Sequence, residues 1–238
     1  MIQLIPSMDL LGGRIVRLRH GDRNQVTFYD LEPAIWVERL VEAGATRIHL
    51  VDLDGAFGEA RQAQAFASLP RRFPTVRFQL GGGLRDRALI QEVLDLGFDA
   101  VVGTLAAERP KELVGLDPAR VIAALDLKGR QVVTRGWTAE SECESTDVFE
   151  SLLTFGFKRA LVTDVQRDGT LEGPGLEALA FVAREGFQVQ ASGGFRDLAD
   201  LPDLAAIPNV VGAISGKSLL DGRMDLKDPA VRAALGGA

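Results

Sequence analysis

The sequence is poor in the residues that build many common sites. A single cysteine, Cys143, excludes an intramolecular disulfide framework and any multi-cysteine zinc site. Two histidines, His20 and His49, exclude a three-histidine metal centre, and a serine–histidine relay would have to use one of them. No apolar run approaches the roughly 20 residues of a membrane helix. The opening MIQLIPSMDL lacks the basic segment of a signal peptide. Basic residues are in the minority, 27 against 33 acidic, and the resulting charge of −6 argues against general nucleic-acid binding. There is no low-complexity stretch or long linker, so no domain boundary is expected. What remains is a chain of 238 residues, 46% apolar and 25% charged, long enough to bury a substantial core. The expectation is a cytoplasmic protein without membrane or nucleic-acid partners and without a zinc site.

Short β-rich runs alternate with segments of helical period. Strands are expected at 2–8, 47–53, 76–80, 99–103, 120–126, 159–164, 187–191 and 209–214. Helices are expected near 33–43, 60–69, 85–96, 109–115, 147–155, 174–185, 196–205 and 227–235. Gly44, Gly97, Gly156 and Gly186 each close a helical run before a strand, a position that favours a left-handed residue. Eight strand–helix units at this length suggest a single (β/α)₈ TIM barrel of α/β class, with a doubly wound open sheet as the alternative.

An internal repeat favours the barrel. QLGGGLRD (79–86) matches QASGGFRD (190–197), with Gly82 and Gly193 111 residues apart. HLVDLDGA (49–56) resembles ALVTDVQRDGT (160–170) at the same offset, Val51 to Val162. VVGTLA (101–106) resembles AISGKSL (213–219), and PSMDLLGGRIVRL (6–18) resembles AALDLKGRQVVTR (123–135). Four matches in one order predict two similar half-barrels, about 1–117 and 118–238, closed around a pseudo-twofold axis.

The repeated motifs point to anions. Gly81, Gly82 and Gly83, and Gly193 and Gly194 after Ser192, follow strands and precede helices, where bare backbone N–H groups can approach a phosphate. Gly103 with Thr104 and Gly216 with Lys217 end the fourth and eighth strands and add donors. Each half would hold one phosphate, which implies a substrate phosphorylated at both ends. The bland alternative is that these glycines are only tight turns.

Carboxylates form the second signal. Asp9 and Asp126 end opposed strands, Asp52 and Asp164 end strands two and six, and Asp168 follows in RDGT. C-terminal strand ends are where barrel active sites lie. Carboxylates without histidine ligands suit metal binding or acid–base work. Asp54, Asp86 and Asp197 read as turn or helix caps. Arg17, Arg85 and Arg135 are candidate anion clamps, although each alone reads as a surface arginine, and Trp137, exposed in a loop after a short hairpin, is able to stack on a flat heterocycle or merely to cover the barrel rim. His49 reads as core and Cys143 as an exposed bystander.

In order along the chain, IPSMDLLGGRIVRL, HGD, HLVDLDGA, QLGGGLRD, VVGT, ALD, RGW, TDVQRDGTLEGP, ASGG and SGKSL resemble the phosphoribosylformimino-aminoimidazole carboxamide ribotide isomerases of histidine biosynthesis. The resemblance implies a (β/α)₈ barrel, no metal or organic cofactor, and an Amadori rearrangement of an aminoaldose to an aminoketose. It implies Asp9 as general base, Asp168 as general acid, Asp126 as support and Thr163 as a polar neighbour of the acid. It assigns one phosphate to Gly81–Gly83, Gly103 and Thr104. The other falls to Gly193, Gly194, Gly216 and Lys217. Arg17, Arg85, Arg135 and Trp137 match substrate-contact positions. The partner is then a small bisphosphorylated molecule, and a monomer is expected. The sister cyclase shares the repeat and the DGT motif, but usually has Cys-Leu-Asp-Val in strand one and a lysine in the following hairpin, where this chain has SMDL and Arg17. Ser215, Gly175 and Phe195 depart from the usual isomerase pattern, and Gly175 removes a usual asparagine. Two alternatives stand beside the single isomerase: a dual-substrate enzyme that also takes phosphoribosylanthranilate, and a non-catalytic bisphosphate binder. The segments 19–29 and 136–146 are expected to close over the substrate.

Overall fold

Alternating apolar and β-branched residues build the strands, and the computed structural model describes residues 2–19, 21–62 and 66–236. Twelve strands lie among them: β1 (Gln3–Leu11), β2 (Arg14–Arg19), β3 (Asp22–Phe28), β4 (Arg47–Asp52), β5 (Arg77–Gly81), β6 (Asp99–Val102), β7 (Val121–Lys128), β8 (Gln131–Thr134), β9 (Ala139–Glu140), β10 (Arg159–Asp164), β11 (Gln188–Ser192) and β12 (Val210–Ser215). Eight of them pair in parallel in the order β1, β4, β5, β6, β7, β10, β11, β12, and β12 pairs back to β1. The sheet is therefore closed, as the repeat predicts, and the open-sheet alternative is excluded.

The remaining strands form two hairpin extensions. β2 returns antiparallel from β1 with Asp9 opposite Val16, and β8 returns from β7 with Asp126 opposite Val133. Both pairs lie at one offset in the sequence, so the two extensions share a register. Asp9 and Asp126 consequently sit inside their strands rather than at the ends, because each strand runs on into its hairpin. Segment 19–29 is likewise mostly strand: β3 pairs with β2, with Arg17 opposite Thr27. His20 lies outside the described residues.

Each parallel strand presents alternate residues to the barrel interior and to the helices. Ile5, Val101, Ile122, Leu161 and Ile214 form a separate inner cluster. Their neighbours, such as Leu4, Ala100, Val121 and Val162, join the larger layer between strands and helices. The helix Pro33–Glu42 shows the outer pattern, with Pro33 in the first turn and Trp36, Val37 and Leu40 buried. Helices also cover the barrel at Arg87–Asp95, Ser145–Thr154, Leu176–Arg184 and Pro229–Gly236. The helix expected at 60–69 includes residues outside the described set. The one expected at 109–115 is a 3₁₀ turn, Pro110–Leu113, and the one at 196–205 divides into Leu198–Asp200 and Leu201–Ala205. Short helices at Leu53–Phe57, Thr104–Glu108 and Lys217–Leu220 follow strands directly. No helix among the described residues is long and apolar enough to cross a membrane.

Candidate active site

Strand alternation turns Asp9 inward at the C-terminal mouth, where it is 7% exposed. Arg17, on the returning β2, folds over the mouth and donates from Nη1 to Asp9 Oδ2 at 2.9 Å. Its Nη2 donates to Oδ1 of Asp168, 151 residues away in the chain. Asp168 is also buried, in a turn fixed by the Arg167 N–H on the Asp164 carbonyl at 3.0 Å and the Thr170 N–H on the Arg167 carbonyl at 3.1 Å. One guanidinium thus bridges the two carboxyls that the sequence singles out. Burial raises the Asp9 pKa, Arg17 opposes the rise, and Asp168 adds to it. For Arg17, burial works against the charged form, but Asp168 and Asp9 together raise its pKa.

Asp126 and Thr163 are register partners on β7 and β10. Burial raises the Asp126 pKa, while hydrogen bonds from Trp137 and Thr163 hold it back and Asp168 adds to the rise. Trp137 is therefore not an exposed loop residue. It is half-buried, and the third of three consecutive left-handed residues, Arg135, Gly136 and Trp137. That kink brings its indole to Asp126, and its ring lies where a Cβ on Gly21 would be, 2.9 Å from Cε3. The turn after β2 and the loop after β8 therefore meet over the mouth.

The glycine pairs occupy matched places. Gly82 has φ +104° and Gly193 φ +88°, and a Cβ on either would fall within 3 Å of a backbone carbonyl oxygen, Asp52 and Asp164 respectively. Gly83 and Gly194 approach the carbonyls of Gly55 and Gly173 just as closely, at 2.2 Å from the notional Cβ in each case. Packing of adjacent loops therefore requires glycine at these positions, whether or not an anion binds. At the second set, Gly193, Gly194, Gly216 and Lys217 line one cleft with Arg17 and Asp168. A Cβ on Gly216 would meet Ser7 Oγ at 2.5 Å, so Ser7 also borders this cleft. Sequence reasoning did not single out Ser7; its only signal is its place in the repeat. Lys217 Nζ is held by Asp221, which accepts a further bond from the Tyr29 hydroxyl at 2.7 Å.

At the first set, Gly81 faces Val101, and Gly103 precedes Thr104 at the end of β6. The Thr104 hydroxyl accepts from the Arg135 N–H at 2.9 Å. The Arg135 side chain is exposed and paired with Glu108 at 3.1 Å, and Arg85 donates to the Ala56 carbonyl at 2.9 Å. These two guanidinium groups are thus engaged on the loops, and only Arg17 reaches the central carboxyls.

Other acids have structural duties. Asp52 is fully buried and accepts from the N–H groups of Gly55 at 3.0 Å and Gln62 at 2.7 Å, so it is a cap and not part of the carboxylate cluster. Asp86 and Asp197 cap as expected, accepting from Leu89 and Ala199. Asp54 instead anchors the first hairpin turn by accepting from the Gly12 N–H at 2.9 Å. Gly175 leaves room for the Asp164 carboxylate, whose Oδ2 would lie 2.3 Å from a Cβ there. Phe195 is core, and Ser215 is buried in β12. His49 is buried, with its pKa lowered to about 4 by burial and then by Arg17, and Cys143 is exposed.

A family model described as "Histidine biosynthesis protein" matches residues 3–225. A protein of Cyanothece sp. named 1-(5-phosphoribosyl)-5-((5-phosphoribosylamino)methylideneamino)imidazole-4-carboxamide isomerase is 42% identical over 240 residues, covering 98% of this chain and 93% of the relative. Proteins of the same name from Sorangium cellulosum (43%, 98% and 99% covered) and Rhizorhabdus wittichii (40%, 99% and 99% covered) are similarly close.

Proposed function

The chain belongs to the histidine biosynthesis protein family, and we propose that it is the aldose–ketose isomerase after which these relatives are named. The observation that carries this reading is the Arg17 bridge between Asp9 and Asp168 at the barrel mouth, beside the second glycine set. We propose an Amadori rearrangement that needs only proton transfers. Asp168 gives a proton to the ribose ring oxygen, the ring opens, and a Schiff base forms between C1 and its nitrogen. Asp9 then takes the proton from C2, and the electron pair left behind forms the enol-amine. Tautomerisation of the enol-amine gives the aminoketose.

Several features support these roles. A free aspartate is a weak base, and burial pushes Asp9 toward the range in which it accepts a proton more readily. Arg17 engages one oxygen of each carboxyl, so each keeps a second oxygen outside that contact. Asp126, held by Trp137 and Thr163, supports the site from β7. We assign one substrate phosphate to Gly81–Gly83, Gly103 and Thr104, and the other to Gly193, Gly194, Gly216 and Lys217. Arg85 and Arg135 would meet the substrate from the loops. Water exclusion matters because a Schiff base hydrolyses. The contact between Gly21 and Trp137 lies where such a cover is needed. We further propose a cytoplasmic monomer of one domain, with similar halves at 1–117 and 118–238.

The test is turnover of the bisphosphorylated aminoaldose by purified protein and three variants. Asp9→Asn and Asp168→Asn should each lower kcat by at least roughly 10²-fold with little change in substrate affinity. Asp126→Asn should lose less. Near-normal kcat in Asp9→Asn would move the base elsewhere.

A further inference from the structure

The opposite end of the barrel carries a second concentration of charge. Arg47, Arg77, Asp99 and Arg159 are the first residues of β4, β5, β6 and β10, so all four sit at the N-terminal mouth. Arg47 and Arg77 are register partners. Asp99 is buried and receives Arg77 Nη2 at 3.0 Å and Arg159 Nη1 at 2.9 Å on its Oδ2. Arg120 also approaches Asp99, at 3.9 Å, but its donors end on the carbonyls of Leu94 and Phe98 at 2.8 and 2.6 Å.

Arg47 makes no ion pair among the described residues. Its Nε and the Nη2 of Arg159 are shielded from solvent and have no hydrogen-bond partner. Burial, then the neighbouring Arg159 and Arg77, lower its pKa, and Asp99 opposes them. Arg77, Arg120 and Arg159 therefore share one carboxylate, and Arg47 stands beside them without one. Gln79, register partner of Asp99 on β5, is fully buried with both amide atoms unpartnered, so the polar surface continues inward.

Buried N–H donors on charged groups are costly when left without an acceptor. Water could satisfy the donors but not the surplus charge. A small oxyanion does both, and forked guanidinium donors match its geometry. We propose that the N-terminal mouth binds a small inorganic oxyanion of the phosphate class, held by Arg47 Nε and Arg159 Nη2 with Arg77 at the rim. The net charge of −6 gives no general attraction for anions, so binding there requires this local cluster. The site faces away from Asp9 and Asp168 and does not depend on the reaction proposed for them.

Equilibrium dialysis with inorganic phosphate, joined to a crystal structure in phosphate, tests this. Arg47→Gln should bind one phosphate fewer per chain than the unaltered protein, or bind it about tenfold or more weakly, with turnover unchanged. Lys217→Gln should keep that phosphate, and the crystal should show it against Arg47 and Arg159. If Arg47→Gln does not fold, Arg159→Lys serves, since it keeps the charge and loses the fork. Identical phosphate binding by the altered and unaltered proteins overturns the proposal. So does density for water alone, or an ion in the crystal without an arginine-dependent difference in solution, which marks an adventitious ion only.

Discussion

At the scale of the residue, the two mouths of the barrel handle buried charge differently. At the C-terminal mouth Arg17 donates to two carboxyls at once, and the nearby His49 is a neutral imidazole. The His49 pKa falls from 6.5 unfolded to about 4 in the fold. The unfolded chain therefore binds more protons between those values, and stability rises with pH across that window. The contribution is fully present above about 6.5 and lost as pH falls to about 4, up to about 3 kcal/mol. Urea unfolding of His49→Gln between pH 4 and 7 should show a flatter acid limb than the unaltered protein. Parallel profiles would mean that His49 takes up its proton as readily in the fold as in the unfolded chain.

At the scale of the element, the loops after β5 and β11 are shaped by glycines with two separable constraints. Gly83 has φ +69° and a carbonyl oxygen 2.2 Å from its notional Cβ, whereas Gly129, with φ +63°, has open space around it. Gly129→Ala should cost about 1–2 kcal/mol, the price of the left-handed conformation alone, and Gly83→Ala clearly more. Thermal unfolding of both variants decides it; equal losses would show that the loop after β4 yields freely. The sequence makes the eight barrel strands legible, because their apolar runs are long enough to read. Helices of four or five residues carry no such period, so Thr104–Glu108 and Lys217–Leu220 stayed hidden. The continuation of β1 past Asp9 to Leu11 is not legible either, since the charged Asp9 interrupts the apolar run there. The site was legible as residue types but not as contacts. Nothing local to Arg17 announces a partner as distant as Asp168. Nor does the RGW triplet reveal that a left-handed run folds Trp137 onto Asp126 and Gly21.

At the scale of the whole molecule, an apolar plug separates the two mouths. Ile122 and its four partners, Ile5, Val101, Leu161 and Ile214, fill the barrel interior between the charged layers. Ile122 is fully buried, so Ile122→Ala should cost about 2–5 kcal/mol, measured by urea unfolding. A loss under about 1 kcal/mol would mean that the interior relaxes into the gap. Above this plug the matched hairpins and glycine loops face each other across Asp9 and Asp168. The central claim is that one bisphosphorylated substrate spans that mouth with its sugar between the two carboxyls. A crystal structure with the substrate bound to the Asp9→Asn protein tests it most directly. The account predicts one phosphate at Gly82, Gly83 and Thr104, the other at Gly194 and Lys217, and C2 of the ribose beside residue 9. A ligand with both phosphates on one side of the mouth, or with its sugar remote from residues 9 and 168, would contradict it.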